Sequence, residues 1–359
     1  MFTKPFIIAE LSGNHNGDIN RAIQLIKEAK KAGADAVKLQ TYTAETITMD
    51  CDNEEFMIKG GLWDGYKLYD LYQQAHTPWE WHAQLFAAAK EIGIKIFSTP
   101  FDETAVDLLE SLGAPLYKIA SFEMTHHPLI AYVAKTCKPI IMSTGMASLE
   151  EISEAVEVAF ANGCLDLTLL HCVSEYPAPV EHCNLVTMLD LQRRFPKVKV
   201  GLSDHTLGTE VAITAVALGA VVIEKHFTLS RAEGGVDAAF SLEPHELEIL
   251  CSETKNVKRL EEVLSAYPNA RLAIGEVNYR RSDTERGNMI FRRSVYAVKA
   301  IKAGEVFTRD NVRVIRPGCG IPPKYIESMY GMRAKEAIPY GTPISKNIYE
   351  LTIQEPARA

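Results

Sequence analysis

The sequence predicts an α/β fold, a TIM (β/α)8 barrel followed by a small β-rich domain. Over the first 265 residues, eight strand-like apolar runs alternate with eight amphipathic helical segments. The strand-like runs are continuously apolar, as expected for parallel strands that are covered on both faces. Eight such units in this length favour a closed barrel over the alternative, a doubly wound open sheet.

The predicted elements follow one another in strict order along the chain. Strands are predicted at residues 6–11, 36–40, 94–98, 116–120, 139–143, 167–172, 198–202 and 221–226. Helices are predicted at residues 19–32, 78–92, 103–112, 128–135, 149–161, 185–195, 208–218 and 244–264, where apolar residues recur at helical spacing. Residues 41–75 are too long for an ordinary connection in a compact domain, so we expect this excursion to be functional.

The pattern changes after the eighth unit. Residues 266–290 are polar and charged and read as a linker, whereas residues 291–359 contain short β-like runs separated by turn residues. The sequence therefore predicts a barrel domain at residues 1–265, a linker at 266–290 and a β-rich domain at 291–359.

Composition excludes several classes of protein. The chain has 359 residues, 47% of them hydrophobic, and a net charge of −8, which argues against general nucleic-acid binding. No apolar run approaches the roughly 20 residues that a membrane span needs. Seven cysteines, without framework spacing or a CxxC pair, predict reduced thiols in a cytoplasmic protein.

The charge is unevenly distributed along the chain. Residues 280–316 contain ten Lys or Arg against four Asp or Glu, so this segment carries about +6 and the remainder about −14. A basic tail on an acidic body fits docking against that body or covering an anionic ligand. A solvated run of charge is the alternative, and charge alone does not exclude it.

Two histidines are predicted to lie side by side at one rim of the barrel. His205 follows the seventh strand and His226 ends the eighth. Parallel strands joined by a helix place their carboxyl ends at the same edge, where barrels assemble active sites. Two adjacent imidazoles there can hold one divalent metal ion; the alternative is a pair of unrelated polar loop residues.

Polar side chains also stand at or just after the ends of most of the predicted strands. They are Glu10, Lys38, Gln40, Lys118, Ser121, Glu123, Ser143, Ser203 and those of residues 171–176. A lysine that ends an apolar strand is costly to bury unless it meets an anion. Two of them on one rim, with three serines, predict a cradle for phosphate and carboxylate. A Schiff base, as in aldolases, and a structural ion pair are the alternatives. For Glu10 and Glu123, the alternatives are an ion pair with these lysines, or a functional role in proton transfer or in polarising a nearby hydroxyl.

Several ordered runs resemble the sialic acid synthase family. They are IAELSGNHNG, GADAVKLQTY, TPFDETAVDLL, YKIASFE, STGMAS, LLHCVSEYPAP, GLSDHT and EKHFT. The tail VKAIKAGEVFTRDNVRVIRPGCGIPP resembles the antifreeze-like (SAF) domain that follows the barrel in that family. Three runs, AELSGNHNGDINRA, LYQQAHTPWEWH and HFTLSRAEGGVDAAFSLEP, look most like the pseudaminic acid synthase branch.

The resemblance implies a condensation of phosphoenolpyruvate with an open-chain acetamido sugar to give a nonulosonic acid and phosphate, a type of product used in cell-surface glycans. In the pseudaminic branch the sugar is 2,4-diacetamido-2,4,6-trideoxy-L-altrose. N-acetylneuraminate and legionaminate synthases, which use a different acetamido sugar, are the alternatives within the family. A Schiff-base aldolase and a non-catalytic binding protein are alternatives of other classes.

The resemblance also implies roles for individual residues. His205 and His226 would bind Mn²⁺, or alternatively Mg²⁺ or Co²⁺. The phosphoenolpyruvate ligands would be Lys38, Lys118, Ser121, Ser143 and Ser203, and Ser174 stands at a phosphate contact where family members often carry Asn. The residues facing the sugar would be Glu10, Gln40, Tyr176 and Asp237, with Glu123 near the reacting carbons. Arg316 would reach into the partner subunit's barrel in a domain-swapped homodimer.

Overall fold

A computed structural model describes residues 4–256 and 258–350 of the chain. Eight parallel strands close into a barrel in which each strand pairs with the next and the eighth pairs with the first. The strands are β1 (Phe6–Glu10), β2 (Ala36–Thr41), β3 (Lys95–Pro100), β4 (Tyr117–Ile119), β5 (Ile140–Ser143), β6 (Leu167–Cys172), β7 (Lys199–Asp204) and β8 (Val222–His226). The predicted closed barrel is confirmed, and the open sheet is excluded.

Helices surround the strands. They are α1 (Ile19–Ala32), α2 (Ala44–Ile47), α3 (Leu68–Ala75), α4 (His82–Ile92), α5 (Glu103–Ser111), α6 (His127–Ala134), α7 (Leu149–Ala161), α8 (Val186–Arg194), α9 (Glu210–Ala217), α10 (Pro244–Lys255) and α11 (Leu260–Ala266). The prediction of one long helix at residues 244–264 was wrong, because this part of the chain forms two helices, α10 and α11. Arg259 adopts extended backbone before α11, which breaks the helical path. The predicted excursion holds two helices of its own, α2 and α3.

Two apolar layers hold the barrel together. The main core lies between the strands and the helices, because outward-facing strand residues such as Ile7 and Val37 meet the apolar faces of α1 and its neighbours. A smaller cluster fills the barrel interior and includes Ile8, Phe97 and Leu170. Because side chains alternate along a strand, the residues that follow these interior positions by two point toward the carboxyl-end rim.

The chain continues after the barrel through α12 (Ala270–Ile274) and α13 (Asp283–Asn288) into a small β-rich region. There β9 (Ser294–Ala297) pairs antiparallel with β10 (Val312–Ile315), and, after α14 (Ile326–Met329), β11 (Arg333–Ala334) pairs with β12 (Tyr349–Glu350). This region has its own apolar core, centred on Val295, Phe307 and Ile344. The exact domain boundaries stay a prediction. The predicted end of the β-rich domain, residues 351–359, lies outside the described residues.

The β-rich region packs on the carboxyl-end rim of the barrel. Aromatic side chains of the excursion, Tyr42, Phe56 and Tyr72, form one apolar cluster with Phe291 and Tyr296. The excursion therefore lies between the barrel mouth and the β-rich region. Among the residues described, none forms a helix that is long and apolar enough to cross a membrane.

Candidate active site

A cavity opens at the carboxyl ends of the barrel strands, beneath the excursion and the β-rich region. The open space within it, including solvent at its mouth, is about 920 Å³. Twelve of the fourteen residues predicted from the sequence line it: Glu10, Lys38, Gln40, Lys118, Ser121, Ser143, Tyr176, Ser203, His205, His226, Asp237 and Arg316. The structure therefore brings together side chains from all parts of the chain, while Glu123 and Ser174 lie behind the cavity wall.

Two buried lysines share one buried carboxylate that the sequence analysis did not identify. Glu224 lies 2.8 Å from the Lys118 ammonium and 3.0 Å from that of Lys38, and Ser203 donates to it at 3.1 Å. Lys38 also pairs with Glu10 at 3.3 Å. The signal for Glu224 was available in the alternation of β8: Val222 and His226 face the interior, so Glu224 between them must do the same.

Of the two carboxylates beside Lys38, Glu224 is the one that stays ionised. Although burial by itself would raise the pKa of Glu224, Lys118 and Lys38 together hold it far below the usual value. Glu10 has only Lys38 close to it, so burial, aided by repulsion from Glu224, raises its pKa to about 7. Burial lowers the pKa of Lys118 to about 8 against the attraction of Glu224. The rim thus holds groups that can exchange protons near neutral pH.

Serine hydroxyls surround the loop after β5. Ser121 Oγ accepts a hydrogen bond from the Gly145 backbone N–H at 3.2 Å, and a Cβ on Gly145 would come within 2.1 Å of Ser174 Oγ. The hydroxyls of Ser143 and Ser174 are buried and have no hydrogen-bond partner among the described residues. A buried hydroxyl without a partner is costly, so such groups are expected to bind a ligand or water. Ser174 does not line the cavity, so its predicted phosphate contact stays a prediction.

His205 and His226 lie side by side, as predicted, with ring centroids 5.5 Å apart. His205 Nδ1 hydrogen-bonds the Val173 carbonyl at 2.8 Å, which leaves Nε2 free to act as a ligand. Burial and the neighbouring His205 hold the pKa of His226 well below its ordinary value, so this imidazole is neutral. Its Nδ1 is buried without a hydrogen-bond partner among the described residues and lies 3.9 Å from Asp237 Oδ2. Within the described ranges no group of three or more His, Cys, Asp or Glu is placed to hold a metal.

A hydrogen-bonded chain links the residues predicted to face the sugar. Gln40 Nε2 donates to Glu10 Oε1 at 2.8 Å and to Ser12 Oγ at 3.2 Å, and Ser12 Oγ in turn donates to Asp237. The Tyr176 ring packs on His205 with centroids 4.5 Å apart. Ser12 is a second cavity residue that the sequence analysis did not assign to the site, although it lies in the run AELSGNHNGDINRA, which resembles the pseudaminic branch.

Arg316 enters the cavity from the β-rich region. Its guanidinium donates to Glu123 Oε1 at 2.8 Å and to the Tyr72 hydroxyl at 2.8 Å, and Arg293 donates to the same Glu123 oxygen at 3.0 Å. Glu123 therefore pairs with two arginines, and not with Lys38 or Lys118 as one prediction had it, because the arginines of the β-rich region lie between it and the cavity. Arg316 reaches the barrel of its own chain in this structure, and the domain-swapped homodimer stays a prediction.

Aromatic residues form the outer wall of the cavity. Trp63, in the excursion, packs against Tyr176 and Phe291 with ring centroids 5.8 and 6.0 Å away, and its indole N–H donates to the Val236 carbonyl at 3.1 Å. Tyr72, Phe101 and Phe122 surround the Arg316 guanidinium. The site is therefore charged at its floor and largely apolar at its mouth, which shields the charged floor from bulk water.

Comparison with known proteins identifies the family. The model of the NeuB family matches residues 25–264, and the model of the SAF domain matches residues 292–347. The chain belongs to the NeuB family. The predictions of the sialic acid synthase family and of a TIM barrel followed by a SAF domain are thereby confirmed.

This NeuB-family chain is similar to proteins with three different names. It is 42% identical over 347 residues to a pseudaminic acid synthase of Campylobacter jejuni, with 97% of each chain covered. It is 41% identical to an N,N'-diacetyllegionaminic acid synthase of the same species, with 91% of this chain and 95% of the relative covered. The crystal structure of the spore coat polysaccharide biosynthesis protein SpsE of Bacillus subtilis matches with a TM-score of 0.81 at 33% identity, covering 98% of this chain and 96% of that one.

Proposed function

We propose that this protein is a pseudaminic acid synthase, which condenses phosphoenolpyruvate with open-chain 2,4-diacetamido-2,4,6-trideoxy-L-altrose and releases phosphate. The observation that carries the proposal is a single cavity that joins two buried lysines, a group of serine hydroxyls and two adjacent imidazoles. The pseudaminic acid synthase of Campylobacter jejuni, which aligns with 97% of this chain, supports the choice of product.

Phosphoenolpyruvate occupies the floor of the cavity in this proposal. Lys38 and Lys118 offset its negative charge, while Ser121 and Ser143 donate hydrogen bonds to its oxygens. Ser203 would join them by turning its hydroxyl proton from Glu224 to the substrate. Ser174 lies behind the loop that follows β5, where its hydroxyl is next to Gly145. Glu224 keeps both lysines charged and in place, so their ammonium groups need little reorganisation when the substrate arrives.

The reaction forms one carbon–carbon bond and breaks one carbon–oxygen bond. Carbon 3 of phosphoenolpyruvate attacks the aldehyde carbon of the sugar, whose oxygen takes a proton and becomes a hydroxyl. Water adds to carbon 2, and the resulting tetrahedral intermediate expels phosphate as carbon 2 becomes a ketone. Glu10, with its pKa raised to about 7 by burial, is suited to transfer a proton in this sequence.

His205 and His226 would hold a divalent metal ion, which we propose to be Mn²⁺, with Mg²⁺ or Co²⁺ as alternatives. The bound ion would polarise the aldehyde oxygen as a Lewis acid. The free Nε2 of His205 and the neutral, unpartnered imidazole of His226 fit this role. With two protein ligands identified, the remaining coordination positions are left for substrate and water.

The sugar occupies the side of the cavity that contains Gln40, Tyr176, Asp237 and Arg316. An N,N'-diacetyllegionaminate synthase is the second candidate, because a relative of that name is 41% identical to this chain. An N-acetylneuraminate synthase remains a third. We place the enzyme in the cytoplasm; its seven cysteines, none of which is paired, support that location.

A Schiff-base aldolase would use Lys118, because a lysine with a pKa near 8 supplies more neutral amine than an ordinary one. Its contact with the ionised Glu224 argues for a charged lysine instead. Borohydride treatment in the presence of substrate separates the two mechanisms. We expect no mass increase on Lys118 or Lys38, and a covalent adduct on either would favour the aldolase.

The proposed function is tested by incubating the purified protein with phosphoenolpyruvate, Mn²⁺ and a panel of acetamido sugars while phosphate release is measured. We expect turnover with the diacetamido altrose, and a loss of at least about 100-fold in kcat for His205→Ala. His245→Ala, at an exposed position of α10, is the matched control and should keep full activity. A folded His205→Ala variant that retains turnover would rule out the metal role.

A further inference from the structure

Ser12 connects two of the side chains assigned to the sugar subsite. It is 4% exposed, lines the cavity, and stands between Gln40 Nε2, which donates to it at 3.2 Å, and the Asp237 carboxylate, to which it donates. A carboxylate can only accept, so the Ser12 hydroxyl proton points toward Asp237 and its lone pair points toward Gln40. With Asp237 ionised, the whole chain of hydrogen bonds therefore runs in one direction.

This direction determines what the cavity offers to a ligand. Both amide protons of Gln40 are engaged, one by Glu10 and one by Ser12, so the Gln40 carbonyl oxygen remains available. Asp237 uses Oδ2 for Ser12, and its Oδ1 receives no hydrogen bond from the residues described. Two acceptor oxygens therefore remain for a ligand, and they suit the N–H and O–H donors of an acetamido sugar.

The backbone around Ser12 is fitted to the loop that carries Asp237. A Cβ on Gly13 would lie 2.5 Å from Val236 Cγ2 and 3.1 Å from the Ala75 carbonyl oxygen, so only glycine allows this close approach. Ser12 itself has a φ of 45°, a left-handed conformation that is unusual for a residue other than glycine. Residues 12–13 and 236–237 thus form one unit, in which strain at Ser12 is maintained for a particular side-chain position.

We propose that Ser12 is a specificity-determining positioning residue, whose hydroxyl holds Asp237 and Gln40 so that they accept hydrogen bonds from the acetamido and hydroxyl groups of the sugar. This inference rests on the proposed function, because it assigns the sugar to this side of the cavity. In the proposed function phosphoenolpyruvate is bound by other residues, the lysines and serines of the cavity floor, so loss of the Ser12 hydroxyl should affect the sugar more than phosphoenolpyruvate.

The test is steady-state kinetics of Ser12→Ala and Ser12→Gly with both substrates. The alanine variant keeps the side-chain volume near that of serine, whereas the glycine variant relieves the left-handed backbone, so an effect shared by both belongs to the hydroxyl. We expect kcat/KM for the sugar to fall about 10- to 100-fold while KM for phosphoenolpyruvate changes less than about twofold. The preference for the diacetamido sugar over N-acetylmannosamine should fall in parallel.

Cys137→Gly is the control for placing glycine at a left-handed position, because Cys137 has a φ of 57° in an exposed turn at the other end of the barrel. It should leave both KM values unchanged. An unchanged sugar KM in both Ser12 variants, or equal losses for the two substrates, would overturn the inference and leave the proposed function standing. A wild-type protein that turns over no acetamido sugar would overturn both.

Discussion

At the scale of the residue, the rim of the barrel is a balance of buried charges. Lys38 and Lys118 would be costly to bury alone, and Glu224 and Glu10 offset that cost at distances of 2.8 to 3.3 Å. Two interpretations of the lysines, a structural ion pair and a cradle for an anion, are therefore compatible, since the lysines form ion pairs and still line the cavity. Before an anion binds, neither lysine is an unpaired buried charge, and both are still placed to bind an anion.

The balance at Glu10 predicts a pH-dependent stability. Burial raises its pKa in the folded protein to about 7, so its contribution is fully present below about pH 4.5 and is lost as the pH rises through 7. In metal-free protein without substrate, Glu10→Gln should therefore match the wild type near pH 5 and exceed its stability by roughly 1–3 kcal/mol at pH 8. Urea unfolding at the two pH values measures the difference.

The matched control for this measurement is Glu248→Gln, which changes an exposed glutamate on α10. A stability difference between Glu10→Gln and the wild type that does not grow with pH would contradict the assignment. The same variant should lose activity, because the proposed role of Glu10 in proton transfer is lost with its carboxyl group. A gain in stability at the expense of activity is common at catalytic positions.

At the scale of the element, the excursion between β2 and β3 forms the outer wall of the cavity. Its helices α2 and α3 pack between the barrel and the β-rich region, and Trp63 extends from its tip over the cavity mouth. The tip contains Gly60, Gly61 and Gly65, all exposed and in left-handed conformations that a bulkier residue would strain. The tip is closed by its own backbone hydrogen bonds, from Ile58 to Tyr66 and from Gly65 to Ile58, and the Trp63 indole ties it to the Val236 carbonyl across the cavity mouth.

Trp63→Ala should loosen this wall and admit water to the cavity. We expect KM for both substrates to rise about 10-fold, because the aromatic contacts and the hydrogen bond to Val236 are lost together. Of the three tryptophans, Trp63 alone lines the cavity, so it should carry the change in tryptophan fluorescence on addition of phosphoenolpyruvate. A Trp63→Ala protein with a wild-type fluorescence response would contradict this placement, and Trp79→Phe is the control.

At the scale of the whole molecule, the β-rich region completes the active site with arginines. Arg316 and Arg293 pair with Glu123. Arg292, and Arg281 of the preceding connection, pair with Glu151 at the start of α7 and donate to the Met146 carbonyl in the loop that follows β5. Much of the basic charge of residues 280–316 is therefore paired with acidic groups of the barrel. The docking alternative is the one observed, and Arg316 adds a cationic group at the cavity itself.

Deletion of the chain from Phe291 onward should abolish activity while the barrel stays folded. The barrel has its own continuous core and eight closed strand pairings, whereas the cavity loses Arg316 and its cover. Circular dichroism reports the fold and phosphate release reports the activity. Arg316→Lys in the full-length chain separates cover from chemistry, because it keeps a positive charge but cannot bridge Glu123 and Tyr72. A fully active truncation would refute this role of the β-rich region.

The sequence by itself determined the barrel, because apolar strands and amphipathic helices alternate with distinct periods and because parallel strands need long crossovers. It also determined which rim carries chemistry, since residues that end such strands converge on one edge. His205, His226, Lys38 and Lys118 were predicted on that basis. The sugar did not follow from these patterns and came from resemblance to a family.

Only the tertiary structure decided which of these side chains meet. Glu224 became part of the site because its neighbours across the barrel are lysines from β2 and β4, distant in sequence. Ser12 became part of it because a loop more than 200 residues later places Asp237 against its hydroxyl. Glu123 does not line the cavity, because two arginines of the β-rich region pair with it and lie between it and the cavity. Hydrogen bonds and ion pairs act over a few ångströms, so their partners are set by packing and not by order along the chain.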